Sequence, residues 1–251
     1  MTVLSLFAAL SLVAVGVAIS RREGLGLEKD ILWGAVRAAV QLTLIGFVLR
    51  YVFGVRNWLL TTTMVALMIG VAGQTAAKRG KAIPGALPLA TGAIAAGAAV
   101  TLGLMVGLHI ISYRPDQVIP ISGMIVGNAM VATALLLNRL KDDVEAHRAE
   151  IQAALALGAT ARQAVDQMLR RSIRTGMVPA IDSMKTVGLV QLPGMMTGLI
   201  LAGTSPVQAV RYQILVQFML TCTVAVTCTA AGYLAYRRLF TAAHQLRSEQ
   251  P

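Results

Sequence analysis

Charge is scarce in this chain. Only 13% of its 251 residues are Asp, Glu, Lys or Arg, about half the share of an average soluble domain. Aromatic residues are few as well, at 5%. A soluble core of this size could not hide a chain that is 56% hydrophobic, so a membrane protein is the first reading. Cysteine is limited to Cys222 and Cys228, a spacing that fits neither a CxxC redox motif nor a zinc site and leaves buried apolar residues as the plain reading. There is no GxxxxGK[ST] phosphate loop. The Gly80-Lys81 pair is followed by Ala82 and has no glycine five positions before Gly80. No glycine-rich nucleotide loop and no nucleophile triad stands out, so the chain carries no recognisable means of hydrolysing ATP. No carboxylate cluster falls in the apolar stretches, which leaves a hard cation without a ligand set there.

What the chain does have is apolar runs, at residues 3–19, 31–52, 58–77, 87–111, 118–138, 177–203 and 212–235. Each approaches or exceeds the roughly 20 residues needed to cross a bilayer as a helix. The runs are solid rather than alternating, which favours helices over barrel strands. The sixth differs from the rest in containing Asp182, Lys185, Gln191 and Pro193. The first has no basic segment before it and is followed by Arg21 and Arg22, so it reads as a retained anchor with its N-terminus outside.

The net charge of +11 invites a nucleic-acid reading, but its placement argues otherwise. Arg21, Arg22, Lys29, Lys78, Arg79, Lys81, the basic residues of 139–174 and then Arg237, Arg238 and Arg247 fall on one side. Arg50, Arg56, Arg114 and Arg211 fall on the other. This is the positive-inside pattern, and it gives an N-out, C-in topology with contact to anionic lipids and no nucleic-acid partner. Trp33, Tyr233 and Tyr236 at inner ends, and Tyr51, Trp58, Tyr113 and Tyr212 at outer ends, form the expected aromatic belts. Residues 1–251 thus read as one all-α integral membrane domain of about seven transmembrane helices in a bacterial inner membrane.

The one sizeable soluble piece is the inner segment 139–174. Leu140, Val144, Ile151 and Leu155 recur at helical spacing with charges between them, so the fifth span continues into the cytosol as a helix. Gly158 breaks it. Thr160 followed by Gln163 is a capping-box pattern that starts a second, short helix with Val165, Met168, Leu169 and Ile173 on one face. The pairs Gly103/Gly107, Gly123/Gly127 and Gly194/Gly198 have the spacing of close helix packing, within the chain more readily than between chains.

Polar groups inside apolar runs are costly and are functional candidates by default. Arg37 and Gln41 share a face of the second run. Asn128 lies mid-span in the fifth. Asp182 and Lys185 can pair within the sixth, and Gln191 precedes the Pro193-Gly194 break. Together they outline a polar translocation path. The alternative is that Asp182 and Lys185 neutralise each other roughly 8–13 Å from the inner surface and merely fix packing. The chain has 12 methionines, six of them (Met124, Met130, Met177, Met184, Met195 and Met196) in the fifth and sixth runs. Thioethers suit copper(I), so Met195 and Met196 are the metal-ligand candidates, against a plainer reading as apolar filler. His109 reads as a packing or interface residue rather than a ligand, and His147 and His244 as solvated.

The run EIQAALALGAT at 150–160 is similar to the coupling loop of ABC-transporter permeases, with two residues intervening between Glu150 and Ala153-Ala154. The stretches ISGMIVGNAM at 121–130, AIDSMKTVGLVQLPGMMTGLI at 180–200 and YQI at 212–214 resemble the FetB family of iron-export permeases, whose relatives include plant membrane subunits of aluminium-tolerance transporters. The resemblance spans essentially the whole chain. It implies a permease that exports iron or another metal-stress cargo and works as two permeases with two separate ATPase subunits. ATP and Mg would bind to the ATPases, leaving no cofactor in this chain. Glu150, Ala153, Ala154, Gly158, Ala159 and Thr160 would dock on the ATPase. The alternatives are an ion-coupled secondary transporter using Asp182 and Lys185, a non-conducting membrane scaffold, and an intramembrane enzyme resting on scattered polar groups.

Overall fold

The computed structural model describes residues 3–55, 57–80, 83–241 and 245–246. The expectations placed on Arg56, Lys81, His244 and Arg247 fall outside the described residues. Two compact units are formed, Met1–Asn57 and Trp58–Pro251.

The first unit is a helical hairpin of α1 (Val3–Arg22) and α2 (Glu28–Val55). Ser20 fixes its turn: the hydroxyl donates to the Glu28 carboxylate at 3.0 Å and accepts the Leu27 N–H at 3.1 Å. Glu28 and Asp30 sit in the first turn of α2, where the helix dipole favours negative charge.

The second unit contains α3 (Trp58–Ala77), a 3-10 turn at Lys78–Gly80, α4 (Ala86–Gly107), α5 (Pro115–Ala146), α6 (Arg148–Ala156), α7 (Ala161–Thr186), α8 (Gly194–Leu201) and α9 (Pro206–Leu239). Proline opens α5 and α9, where its missing N–H costs nothing. The centre of the unit is α5 and α9: α9 packs on α4, α5, α7 and α8, and α5 also packs on α3 and α7. Its core is aliphatic, with Ile94, Ile125, Leu136, Leu140, Val165 and Val224 fully buried. One buried polar contact crosses it: the Thr223 hydroxyl donates to Thr101 Oγ1 at 2.7 Å and is also placed 2.9 Å from the Met219 carbonyl.

Among the described residues, α2, α3, α4, α5 and α9 are long and apolar enough to cross a membrane.

The structure resolves one point the sequence left open and departs from its expectations in three others. The sixth apolar run, with its Pro193-Gly194 break, is not one helix. It begins inside α7, is interrupted at 187–193 and resumes as α8. The second helix of the inner segment is not short, because α7 runs unbroken for 26 residues. α5 ends at Ala146, and His147 links it to α6. His147 is half-buried rather than solvated, with Nδ1 2.9 Å from the Asp143 carbonyl, so it serves as a joint. Finally, close helix packing does not use the three GxxxG pairs. A Cβ on Gly103, Gly107, Gly127, Gly194 or Gly198 would meet nothing within 4 Å, and one on Gly123 only Met68 at 3.8 Å. The tight approaches are at Gly73 against Thr91, Gly97 against Thr227, Gly176 against Cys228 and Ala132, and Gly232 against Ile173 and Leu169.

Candidate functional site

The link between α6 and α7 is a back-to-back pair of helix caps. Gly158 has φ +89° and closes a Schellman motif on α6, with Gly158 N–H donating to the Leu155 carbonyl and Ala159 N–H to the Ala154 carbonyl, both at 3.0 Å. Two residues later the expected capping box is complete. Thr160 Oγ1 accepts the Gln163 N–H at 3.3 Å, and Gln163 Oε1 accepts the Thr160 N–H at 2.9 Å. The turn between these caps has little freedom. Ile151, Ala161 and Val165 are buried beneath it. Glu150, Ala153, Gly158 and Thr160 are exposed, Ala154 and Ala159 are half-buried, and Leu157 at the tip is 90% exposed. A protruding leucine on a rigid turn offers a partner an apolar anchor at small entropy cost.

A cluster that the sequence reading missed ties this turn to α9. The Arg162 guanidinium lies 4.6 Å from the centre of the Tyr233 ring and 5.7 Å from that of Tyr236, and its Nη2 donates to the Tyr233 hydroxyl at 3.0 Å. The two rings meet edge to face at 6.2 Å. Asp166 accepts from Arg170 Nε at 2.7 Å and lies 3.4 Å from Arg162 Nε. Arg170 beside it, with Arg162 adding to the effect, holds the Asp166 carboxyl below the ordinary carboxylate range. The hydrogen bond to Tyr233 holds Arg162 above its ordinary value. The i, i+4 spacing of Arg162, Asp166 and Arg170 was a usable signal. The stacking on α9 was not, because Tyr233 and Tyr236 lie far away in sequence.

From this anchor α7 carries on into the bundle. Ala161, Val165, Leu169, Ser172 and Gly176 form its buried stripe, at spacings of three and four residues. Contacts with α9 set its level. Leu169 and Ile173 pack beside Gly232, Gly176 lies against Cys228, and Met184 Sδ is 3.7 Å from Thr221 Oγ1. Thr221 stands at the middle of α9 and of the 212–235 run, and it is about 21 Å along the helix from Ala235 at 1.5 Å per residue. Asp182 and Lys185 flank Met184, so they lie level with the middle of α9. The apolar run seemed to begin at Met177 because Arg170, Arg171 and Arg174 keep the exposed side of the preceding turns polar. The buried side had already joined α9 by Leu169.

Asp182 Oδ1 and Lys185 Nζ are 3.7 Å apart, as the i, i+3 spacing predicted. Asn128 on α5 comes to a similar level, since α5 at Ala132 meets α7 at Gly176. Its Nδ2 donates to the Met124 carbonyl at 2.9 Å. Beyond Thr186 the chain folds back on itself. The Thr186 carbonyl accepts the Val190 N–H at 2.9 Å, Gly188 N–H donates to the Gln191 carbonyl at 2.8 Å, and Gly188 has φ +85°. Gln191 is exposed, Pro193 N-caps α8 and Gly194 begins it. Met195 is exposed and Met196 half-buried in the first turn of α8. Among the described residues no group of three or more His, Cys, Asp or Glu side chains gathers to hold a metal ion. Arg37 and Gln41 lie in the first unit, both exposed on α2.

A family profile described as "Uncharacterised protein family (UPF0014)" matches residues 3–240. The chain belongs to the UPF0014 family. It is 48% identical over 242 residues to the "Probable iron export permease protein FetB" of Escherichia coli K12, covering 96% of this chain and 93% of that one. It is 42% identical over 241 residues to the "UPF0014 membrane protein STAR2" of Oryza sativa subsp. japonica, covering 95% and 84%. It is 39% identical over 243 residues to "Protein ALUMINUM SENSITIVE 3" of Arabidopsis thaliana, covering 96% and 88%. No solved structure matches the chain. The family match covers both the capped turn and the Asp182–Lys185 pair, so these belong to the shared body of UPF0014 proteins rather than to an appended segment.

Proposed function

We propose that this chain is the permease subunit of an ATP-driven exporter of iron or a related metal cargo, energised by a separate ATPase subunit that binds ATP and Mg2+. The observation that carries the reading is α7 itself: one helix, 26 residues long, joins the capped inner turn at Thr160 to the Asp182–Lys185 pair at mid-depth. A partner gripping Leu157 and the exposed residues Glu150, Ala153, Gly158 and Thr160 holds one end of a lever whose other end carries the charges of the path. The Arg162–Tyr233–Tyr236 stack makes the grip act on α9 as well. The name of the E. coli relative supplies the cargo class. In this reading α7 and α8 make one interrupted crossing, which with α1, α2, α3, α4, α5 and α9 gives seven. The N-terminus is outside and the C-terminus inside a bacterial inner membrane.

Because charges at mid-depth also serve ion-coupled transporters, a secondary transporter using Asp182 and Lys185 is the competing reading. Uptake of radioactive iron(II) by inverted membrane vesicles separates the two. The exporter reading expects uptake that requires ATP and is lost in Gly158→Leu while the protein remains inserted. Uptake driven by a pH gradient without ATP, lost in Asp182→Asn and retained in Gly158→Leu, supports the secondary transporter and overturns the first reading.

A further inference from the structure

The face of α7 opposite its buried stripe carries Val178, Asp182 and Lys185, at i, i+4 and i+7, all exposed. Asp182 keeps 60% and Lys185 69% of its side-chain surface open even though the two touch. Both lie beside Met184, at the middle of α9. Ionised side chains at that depth do not face hydrocarbon; they turn to a protein or aqueous surface. The next segment makes the same demand for a different reason. Residues 187–193 leave the helix while still level with the outer half of the 212–235 run, and Leu189 and Val190 are 90% and 80% exposed. Irregular backbone at membrane depth is tolerated only where protein or a water-filled cavity covers it.

Taking the chain as a permease of the kind proposed above, the geometry points to a two-fold contact with a second copy of the same chain, made by Val178, Asp182, Lys185 and the segment 187–193, so that two chains share the mid-depth polar level. The choice of a second copy follows from the charges. Successive helix residues advance by about 100°, so positions three apart differ by about 60° around the axis. Asp182 and Lys185 therefore lie to either side of the line along which two such helices would face each other. A two-fold axis parallel to α7 puts Asp182 of each copy beside Lys185 of the other, with like charges on the diagonals. The surface neutralises itself, as an isologous interface requires, and needs no partner of different sequence. Each charge then has one partner in its own helix and one in the other chain.

A charge-exchange experiment isolates the second partner. D182K leaves only lysines at these two positions, and K185D only aspartates. Like charges then face each other within every helix and across every same-type dimer. Only the mixed dimer restores opposite charges across the contact. Full-length D182K and K185D chains bearing different tags are co-expressed, extracted mildly and captured by one tag. Mixed dimers are expected to exceed same-type dimers by roughly tenfold, given the cost of juxtaposed like charges, whereas differently tagged wild-type chains assort at random. Random assortment of the variants, or no dimer, overturns the contact. Should either variant fail to insert, D182C and K185C chains carrying Cys222→Ser and Cys228→Ser are co-expressed and oxidised in native membranes. A disulfide-linked two-chain species supports the contact. Its absence overturns it, as does disulfide capture of a protein of different sequence. Neither readout uses transport. A cross-linked dimer that never associates with an ATPase would sink the permease reading and leave the contact standing, and an ATPase complex without the cross-link would do the reverse.

Discussion

Gly176 shows how much hangs on a missing side chain. A Cβ there would fall 2.8 Å from Cys228 Sγ and 2.9 Å from the Ala132 carbonyl, and a backbone carbonyl cannot give way as a flexible side chain can. Gly176→Ala is expected to destabilise the fold by about 1–3 kcal/mol, as overpacking does, and to lower the midpoint of thermal unfolding in detergent. Gly103→Ala, where the same methyl meets nothing, is expected to leave the midpoint unchanged or raise it. Equal effects would contradict the packing described. No periodicity in the sequence distinguishes the two glycines, and the GxxxG spacing favoured the wrong one. Spacing reports which residues share a helix face, whereas close approach depends on which helix arrives opposite. By contrast Gly158, Thr160 and Gln163 were legible, because a left-handed cap and a capping box are built from neighbours in sequence. The Asp182–Lys185 pair was legible for the same reason; its level along α9 was not, being set by the contact of Met184 with Thr221 on another helix.

At the scale of elements, α7 is the decisive correction. Its Pro179 removes one donor and leaves the Thr175 carbonyl without its usual partner, yet the helix continues to Thr186. Its first turns are held by Asp166, which bridges Arg162 and Arg170. Because Arg170 and Arg162 lower the Asp166 carboxyl, its charged form favours the folded turn. That stability is present above the ordinary carboxylate value of about 3.9 and is lost as pH falls through the lowered one. Hydrogen exchange across 157–166, corrected for the intrinsic rate, is therefore expected to keep its protection from neutral pH down to about 3.9 and to lose it below. Asp166→Asn should be less protected than the wild type above that step and show no acid step of its own. A variant that retains the wild-type step would place the titrating group elsewhere. The five helices fit to cross a membrane all match runs visible in the sequence. The sixth run was blurred because α7 changes from a helix with three exposed arginines to a bundle helix without a break at the boundary.

For the whole molecule, composition was enough to indicate an all-helical membrane protein, and the UPF0014 match agrees with it. Composition does not explain how a permease with no phosphate-binding loop would be driven. In the proposed reading the capped turn with its exposed leucine, the arginine stack on α9 and the unbroken α7 answer that together: force would be received at 150–160 and delivered near Asp182 and Lys185. The central claim is thus the existence of the partner that supplies the force. The most direct measurement is to tag the C-terminus, solubilise native membranes mildly and identify what co-purifies. An ATPase with a GxxxxGK[ST] loop, recovered in equal amount with the wild-type chain and lost with Leu157→Asp, is the predicted result. A chain that purifies alone, under conditions that keep other ATPase–permease complexes intact, would contradict the account.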